Sequence, residues 1–582
     1  MTQQASGWRR AYARAAALVL ALAATAVAGL PAAATDGLPP VSVRLLALND
    51  LHGNLEPPTG SNATIAGQPA GGAEYLATQL DALRAEVKRN NSITVAAGDL
   101  IGASPLLSAA FHDEPTIEAV DYAGLDYASV GNHEFDEGAE ELRRIQDGGC
   151  HPVGGCADPA TPYEGAGFDY LSANVLTKGG DPLFPPYAIH RVRGVPVGFI
   201  GMTLEGTSAI VSQAGIAGLT FTDEIETANR YAKVLRGKGV ETIVVLLHEG
   251  GTQVGAVGTT PGVNDCTNLQ GPIVPIANGM TDAIDVVVSG HTHQTYNCVI
   301  DGKVVTSASS FGRLVTKIDL QIDHKTGDVI REKTKAENVV VNQTQAKNAQ
   351  QTALIARYRE LLGPIAGALV GETAAPITRE QIRLFQTGAA PDGSPIFALG
   401  ESPLGNLIAD SQLAATEAEQ GAVAAFMNPG GVRADLGAGP VTYEEAFTVQ
   451  PFNNLLTTLN LTGDQVQCLL EQQFVVGRTL YPSAGVVYTV SPTGTTAPAA
   501  DPCAGTRVVD ASVTIDGTPI TPEGTYRITV NNFLADGGDG FSVLIGGTNR
   551  FVGGLDLDAF LAYLKANTPT IGAPTNRITV LP

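Results

Sequence analysis

Positive charge is what this sequence lacks. Its 582 residues carry 35 Lys and Arg against 58 Asp and Glu, a formal charge of −23. A surface that acidic repels a polyphosphate backbone, so a nucleic-acid polymer is not expected as a partner. A small anion remains admissible, because bound cations can reverse the sign locally. No repeat organises the 67 Gly and 35 Pro, which excludes collagen-like and low-complexity chains. Apolar residues, by contrast, are plentiful: 44% hydrophobic with 16% charged describes a globular protein rather than a disordered one. At roughly 100–200 residues per domain, the length implies more than two folding units.

The N-terminus reads as an address. Trp8, Arg9, Arg10 and Arg14 form a positive region, an Ala/Leu/Val run follows from Ala15 to Leu30, and Pro31-Ala-Ala-Ala34 supplies a small-residue cleavage pattern. The expectation is a signal peptide over residues 1–34, cut near Ala34, since the apolar run is short for a membrane anchor. No Cys lies near the cut, which argues against a lipoprotein, and the segment from Arg577 to Pro582 reads as neither a membrane span nor a sorting signal. Cleavage would remove three Arg and no acid, moving the charge from −23 to −26. A secreted, cell-wall or periplasmic protein is therefore expected. Six cysteines agree with an oxidising compartment. Fifteen pairings are possible, and pairing neighbours (Cys150 with Cys156, Cys266 with Cys298, Cys468 with Cys503) keeps each loop within one domain. The rival use of the first pair is a metal site shared with His151.

Apolar runs bounded by turn residues predict strands over 43–48, 93–97, 127–130, 243–247 and 284–288, with helices over 73–88 and 222–235 between them. Strands alternating with helices imply an α/β architecture with its site at the carboxyl ends of the strands. A polar cluster sits at each of those ends: Asn49-Asp50-Leu51-His52-Gly53, Gly98-Asp99, Gly131-Asn132-His133-Glu134-Phe135-Asp136, His248-Glu249-Gly250 and Gly290-His291-Thr292-His293. The chemistry these donors share is a two-metal site. On an extended chain Asp50 and His52 point the same way and can grip one ion, as can His291 and His293. Asp99 can bridge two cations, Asn132 adds a neutral oxygen, and imidazoles suit Zn, Mn, Fe or Ni. His112, His151, His190 and His324 have no such context and read as structural or surface residues.

In this order the motifs resemble the calcineurin-like metallophosphoesterases, specifically the branch of secreted 5′-nucleotidases, UDP-sugar hydrolases and 2′,3′-cyclic phosphodiesterases. The resemblance implies one divalent ion (Zn, Mn or similar) on Asp50, His52, Asp99 and His293, and a second on Asp99, Asn132, His248 and His291. Some members of the branch have Gln or Asn where this chain has His293. The resemblance also makes His133 and Asp136 a catalytic pair, and the residues agree: a carboxylate three positions on can orient the imidazole and keep it partly protonated. Helix capping is the competing role for Asp136.

From about residue 342 the pattern changes. Residues 345–362 read as an amphipathic helix that Gly363-Pro364 interrupts, a hypothetical hinge. The later chain resembles the family's C-terminal nucleotidase domain through Gly400-Glu-Ser-Pro-Leu-Gly-Asn, Asn428-Pro-Gly-Gly-Val-Arg433, Gln450-Pro-Phe-Asn-Asn454 and Asn532-Phe-Leu-Ala-Asp-Gly-Gly-Asp539. Arg433 after a Gly-Gly turn suits a forked grip on phosphate. The resemblance makes Phe452 and Phe533 a two-sided stack on a base, with Asp539 and Asn428 on the ribose or base. Taken singly, such a Phe reads as core. Family members place further phosphate-binding Arg just before the Gly405-Asn-Leu helix, where this chain has none. Arg379 and Arg383 lie upstream.

The expected architecture is thus a leader (1–34), a metallophosphoesterase domain (41–341) built as a β-sandwich flanked by helices, a linker helix (342–370) and a C-terminal α+β 5′-nucleotidase domain (371–582). The expected function is an exported dimetal phosphohydrolase that takes phosphate from nucleotides by in-line attack of a metal-bridging hydroxide. Alternatives with the same motifs are a 2′,3′-cyclic nucleotide phosphodiesterase/3′-nucleotidase and a UDP-sugar diphosphatase; outside enzymes, a nucleotide-binding surface protein.

Overall fold

In the computed structural model, strand Val41–Leu48 lies at the middle of a six-stranded sheet and is buried at seven of its eight positions. Residues 38–582 are described, except 60–61, 213, 256–258, 390–394 and 499. The expected signal peptide and its cleavage site lie outside them. Val43, Leu45 and Ala47 face one side of the strand, while Leu46 and Leu48 face the other. Alternation along a pleated strand thus feeds two cores at once.

The first sheet runs Lys335–Val340, Leu314–Ile322, Val41–Leu48, Ser92–Ala97, Tyr127–Ser129, Asp169–Leu171; the second runs Thr295–Ile300, Lys303–Ala308, Val286–Ser289, Thr242–His248, Val195–Thr203, Tyr187–Val192. They share one core, in which Val43, Leu45, Ile93 and Val95 meet Phe199, Val244, Leu246 and Val286. Helix Ala73–Ala85 covers the outer face of the first sheet and Glu224–Gly237 that of the second. The five strands expected from sequence are all present, parallel where they neighbour one another. Parallel neighbours send their carboxyl ends to one edge, which gathers the polar clusters.

Helix Ala349–Ala366 corrects one expectation: Gly363-Pro364 does not interrupt it, and Pro364 lies inside its last turn. A proline this close to the C-terminus forfeits a single hydrogen bond just before the helix ends. The helix is anchored on the N-terminal half by Gln351 Nε2, which donates to Ala119 O at 2.7 Å, and by Tyr358 Oη, which donates to Glu118 at 2.8 Å.

Beyond it, a five-stranded sheet (Tyr481–Pro482, Ala424–Met427, Thr525–Asn531, Leu455–Thr462, Thr548–Leu555) and a four-stranded one pack against helices Pro403–Gln420 and Gly463–Val476. Capping boxes start Tyr443–Val449 and Gly463–Val476, with Thr442 and Thr462 as caps. The disulfides are Cys150–Cys156, Cys266–Cys298 and Cys468–Cys503, so Cys150 and Cys156 are unavailable as metal ligands. No described helix is long and apolar enough to cross a membrane.

Candidate functional site

The seven expected metal donors come together, but not by the extended-chain geometry expected for them. Asp50 and His52 lie past the end of their strand, and Asp50, His52, Asp99, His291 and His293 all have φ between 46° and 70°. Left-handed turns, rather than the two-residue period of a strand, aim these side chains inward. His291 and His293 accordingly do not share one position. His293 joins Asp50 and His52, whereas His291 joins Asp99 and His248. That is the partition the family resemblance implies, with Asp99 also close to His52.

Close backbone approach makes this convergence possible. A Cβ on Gly131 would lie 2.2 Å from Asp99 Oδ1, and one on Gly98 would lie 2.6 Å from His248 Nδ1. Asp50 is held by Asn49 Nδ2 at 2.6 Å and by the amide of His291 at 3.0 Å. Asp99 Oδ1 accepts the amide of His133 at 2.9 Å.

The donor set fits divalent cations, on two observations. His52 Nδ1 faces Gly102 O, and His248 Nδ1 faces Ala97 O, each at 2.8 Å. A carbonyl only accepts, so both Nδ1 atoms carry hydrogen and each Nε2 points inward, a lone pair wherever no second proton occupies it. There His52 Nε2 lies 3.0 Å from His293 Nε2, and His248 Nε2 lies 2.9 Å from Asp99 Oδ2 and 3.2 Å from Asn132 Oδ1. His291 Nδ1 is 3.0 Å from the same Asn132 oxygen. Lone pairs meeting lone pairs in a buried space need a cation between them. The second observation is electrostatic. Burial pushes His52 down to about 3 and, with the charge on His248, His291 down to about 4, so both are neutral ligands. Burial opposes charge on His248 as well, yet Asp99 lifts it to about 9, a proton standing in for positive charge.

His133 Nδ1 lies 2.7 Å from Asp136 Oδ2, the pair expected from sequence. Burial again opposes protonation, but Asp136 and Asp99 hold His133 up to about 10. Asp136 follows the short helix His133–Phe135 and makes no capping bond to a described residue. Its second oxygen has no partner among the described residues.

The second cluster lies in the C-terminal half. Asn428 Nδ2 donates to Asp539 Oδ2 at 3.0 Å, and the Arg433 guanidinium stands 5.7 Å over the Phe452 ring. Phe452 and Phe533 are 43% and 45% exposed, which sets them apart from core phenylalanines. Of the two upstream arginines, Arg379 donates to Val432 O at 3.3 Å, next to Arg433, whereas Arg383 lies over Phe397. The two halves meet at a cavity of about 80 Å³ whose lining includes His133 and Asp136 on one side and Asn453, Leu557 and Asp558 on the other. Asn453 Nδ2 also donates to Ser104 O of the N-terminal half at 3.4 Å.

Three residues had no assigned part in the sequence reading. Glu134 accepts the amides of Asp99 and Leu100 at 2.8 Å each and that of Gly131, tying two donor-bearing loops together. Burial and the Asp99 charge push it up to about 7. Its position inside the Gly-Asn-His-Glu motif was the available signal. Arg478 pairs with Asp539, and no local pattern marked it. His112, set aside as structural or surface, stacks on His151.

The calcineurin-like phosphoesterase family model matches residues 43–295, and the 5′-nucleotidase C-terminal domain model matches 388–545. Endonuclease YhcR of Bacillus subtilis is 35% identical over 537 residues, covering 90% of this chain and 40% of that protein. Cell wall protein Lmo0130 of Listeria monocytogenes is 31% identical over 545 residues, covering 90% of this chain and 67% of that protein. The chain therefore spans well under half of the first relative's length and about two thirds of the second's. The crystal structure of a 5′-nucleotidase precursor from Thermus thermophilus superimposes with a TM-score of 0.54 at 26% identity, covering 93% of this chain and 99% of that one. These matches join the metallophosphoesterase sandwich to the C-terminal domain in one order, as the strands and motifs do here. The chain belongs to the calcineurin-like phosphoesterases that carry a 5′-nucleotidase C-terminal domain.

Proposed function

We propose that this chain is an exported 5′-nucleotidase that releases phosphate from nucleotides at a centre of two divalent ions. The observation that carries the reading is the cavity shared by the two halves: the loop of Phe452 and Asn453 borders the His133–Asp136 pair there. A base-recognising loop beside a phosphoryl-transfer pair suits a nucleotide better than a bare phosphate ester. The relative named a cell wall protein and the disulfides support export.

Asp50, His52, Asp99 and His293 would hold one ion, and Asp99, Asn132, His248 and His291 the other. Such ions supply Lewis acidity, which lowers the pKa of water and offsets phosphate charge. The chain's own residues do the rest. Asp136 fixes the His133 ring through Nδ1, leaving Nε2–H to stabilise the transferring phosphoryl group or to protonate the leaving oxygen. Arg433 would grip phosphate oxygens in a fork, with Arg379 nearby. Phe452 and Phe533 would stack on the base, while Asn428 and Asp539, already bonded to each other, would address the ribose or base.

A side-by-side assay with AMP, 3′-AMP, 2′,3′-cAMP and UDP-glucose, each with Mn²⁺ or Zn²⁺, is expected to give phosphate fastest from AMP. The 35% identity to a protein named an endonuclease warrants a single-stranded oligonucleotide in the same panel. Faster cleavage of the oligonucleotide would replace the nucleotidase reading, and no release from any substrate with metal bound would end it. Asp99→Ala is expected to abolish turnover; near-normal turnover would show that the centre is misassigned.

A further inference from the structure

Four side chains outside the centre described above converge on a point of their own. His112 Nδ1 lies 2.7 Å from Glu137 Oε2. His151 Nε2 lies 3.9 Å from Glu137 Oε2 and 3.9 Å from Glu141 Oε2. One donor atom from each of the four falls within 4.8 Å of the others. The two imidazole rings are stacked, 3.7 Å between centroids and 13° from parallel. Stacked rings repel if both are protonated, whereas one divalent cation satisfies both nitrogens and both carboxylates.

Three separate segments build this arrangement. His112 has φ 53°, in a turn that leads into helix Glu114–Tyr122. Glu137 follows directly on Asp136, and Glu141 lies in the first turn of helix Ala139–Asp147. His151 rides on the loop closed by the Cys150–Cys156 disulfide. A loop closed that tightly has little conformational freedom left to lose when its histidine is held. The Glu137 side chain is 41% exposed and that of His151 16%, so a hydrated ion can reach the point where they meet.

We propose that His112, Glu137, Glu141 and His151 form a third cation site, taking a divalent transition metal of the zinc class. Two imidazoles with two carboxylates make a four-coordinate set that suits zinc, whereas calcium and magnesium favour oxygen shells. Zinc–ligand bonds of about 2.0–2.2 Å set tetrahedral ligand atoms about 3.4 Å apart, so the two 3.9 Å separations close slightly and His112 Nδ1 and Glu137 Oε2, now 2.7 Å apart, open. Three existing contacts adjust. The His112 Nδ1–Glu137 Oε2 hydrogen bond releases its proton to solvent, so that both atoms face the ion. Arg144 Nη2 donates to Glu141 Oε1 at 2.6 Å and Arg144 Nε to both oxygens at 2.9 Å; Glu141 keeps Arg144 on Oε1 and turns Oε2 from Nε to the ion. His151 Nδ1 accepts the Gly154 amide at 2.7 Å, and coordination through Nε2 moves the ring proton to Nδ1 and frees that amide. The bound ion joins the disulfide loop and the His112 turn to the residue next to Asp136, and so positions the segment that carries His133 and Asp136.

The test is metal content. The mature protein is stripped with a chelator, reloaded with free zinc buffered in the nanomolar range, and measured by inductively coupled plasma mass spectrometry. His112→Ala and His151→Gln are each expected to hold one equivalent of zinc fewer than the parent. In an Asp99→Ala background, one equivalent is expected to persist and to disappear on addition of His151→Gln, whatever the fate of the nucleotidase reading. The Gly154 amide resonance is expected to move on zinc addition in the parent and to stay in place in His151→Gln. If His112→Ala does not fold, His151→Gln on its exposed disulfide loop decides the matter alone. Equal zinc content in parent and His151→Gln overturns the proposal.

Discussion

Glu134 gives a quantitative hold on the donor-bearing loops. Its carboxylate is 2% exposed and accepts three backbone amides, from Asp99, Leu100 and Gly131. It thereby pins the loop after Ser92–Ala97 to the loop after Tyr127–Ser129. In Glu134→Gln, the new carbonyl can keep the Asp99 and Gly131 amides, but its NH₂ then faces the Leu100 amide. One buried N–H loses its acceptor and meets a donor, a cost of about 2–3 kcal/mol. Glu134→Ala strands all three amides and leaves a cavity, about 4–6 kcal/mol. For a cooperative unit of about 300 residues, 1 kcal/mol corresponds to roughly 1.6 °C in Tm, so drops of about 4 °C and about 8 °C are expected. Calorimetry on metal-free protein reads both. The same amides orient Asp99, so zinc affinity is expected to fall by about 10–100-fold in each variant. If both variants melt with the parent and bind zinc equally well, Glu134 does not hold these loops and the reasoning fails.

Three more expectations are open to measurement. Phe452→Ala and Phe533→Ala should each raise KM for AMP by roughly 10-fold or more, the worth of a stacked base, and leave hydrolysis of p-nitrophenyl phosphate unchanged; equal losses on both substrates would return these rings to a structural role. His133→Ala should lower kcat for AMP by about 10²–10⁴-fold with zinc content unchanged, because its imidazole serves the transferring group; a parent-like kcat would contradict the pairing with Asp136. Burial pushes Asp556 from 3.8 up to about 7, and one of its oxygens has no partner among the described residues. The folded state therefore holds this proton more tightly than the unfolded chain, and the stability it confers is full below about pH 4 and lost as the pH rises through about 7. Denaturant titrations should show the parent losing up to about 4 kcal/mol relative to Asp556→Asn between those limits. Parallel pH curves would refute this.

How much of the molecule could be read in advance depended on how local its signals were. The strands at the heart of the N-terminal sandwich are buried on both faces, so they stand out as mainly apolar runs that end in polar clusters. Those clusters made the donor residues legible. Their aim was not, because left-handed backbone at Asp50, His52, Asp99, His291 and His293 leaves no trace in a two-residue period. Gly363-Pro364 looked like a break, since a helix-breaking pair carries no information about how near the helix already is to its end. His112 and His151 meet only through tertiary packing and a disulfide loop, with partners from one further segment. The nucleotidase loops were readable as motifs, whereas Arg478 lies outside them and its pairing with Asp539 has no spacing of its own.

The left-handed donors also limit what an engineer could install. Five positions with φ between 46° and 70° admit Asp, Asn, His or Gly with little penalty, but most other residues cost about 1–2 kcal/mol apiece. A thiolate set for a softer metal would incur that penalty at every exchanged position. To redirect this centre toward sulfur ligation, the turns would have to be redesigned before the side chains.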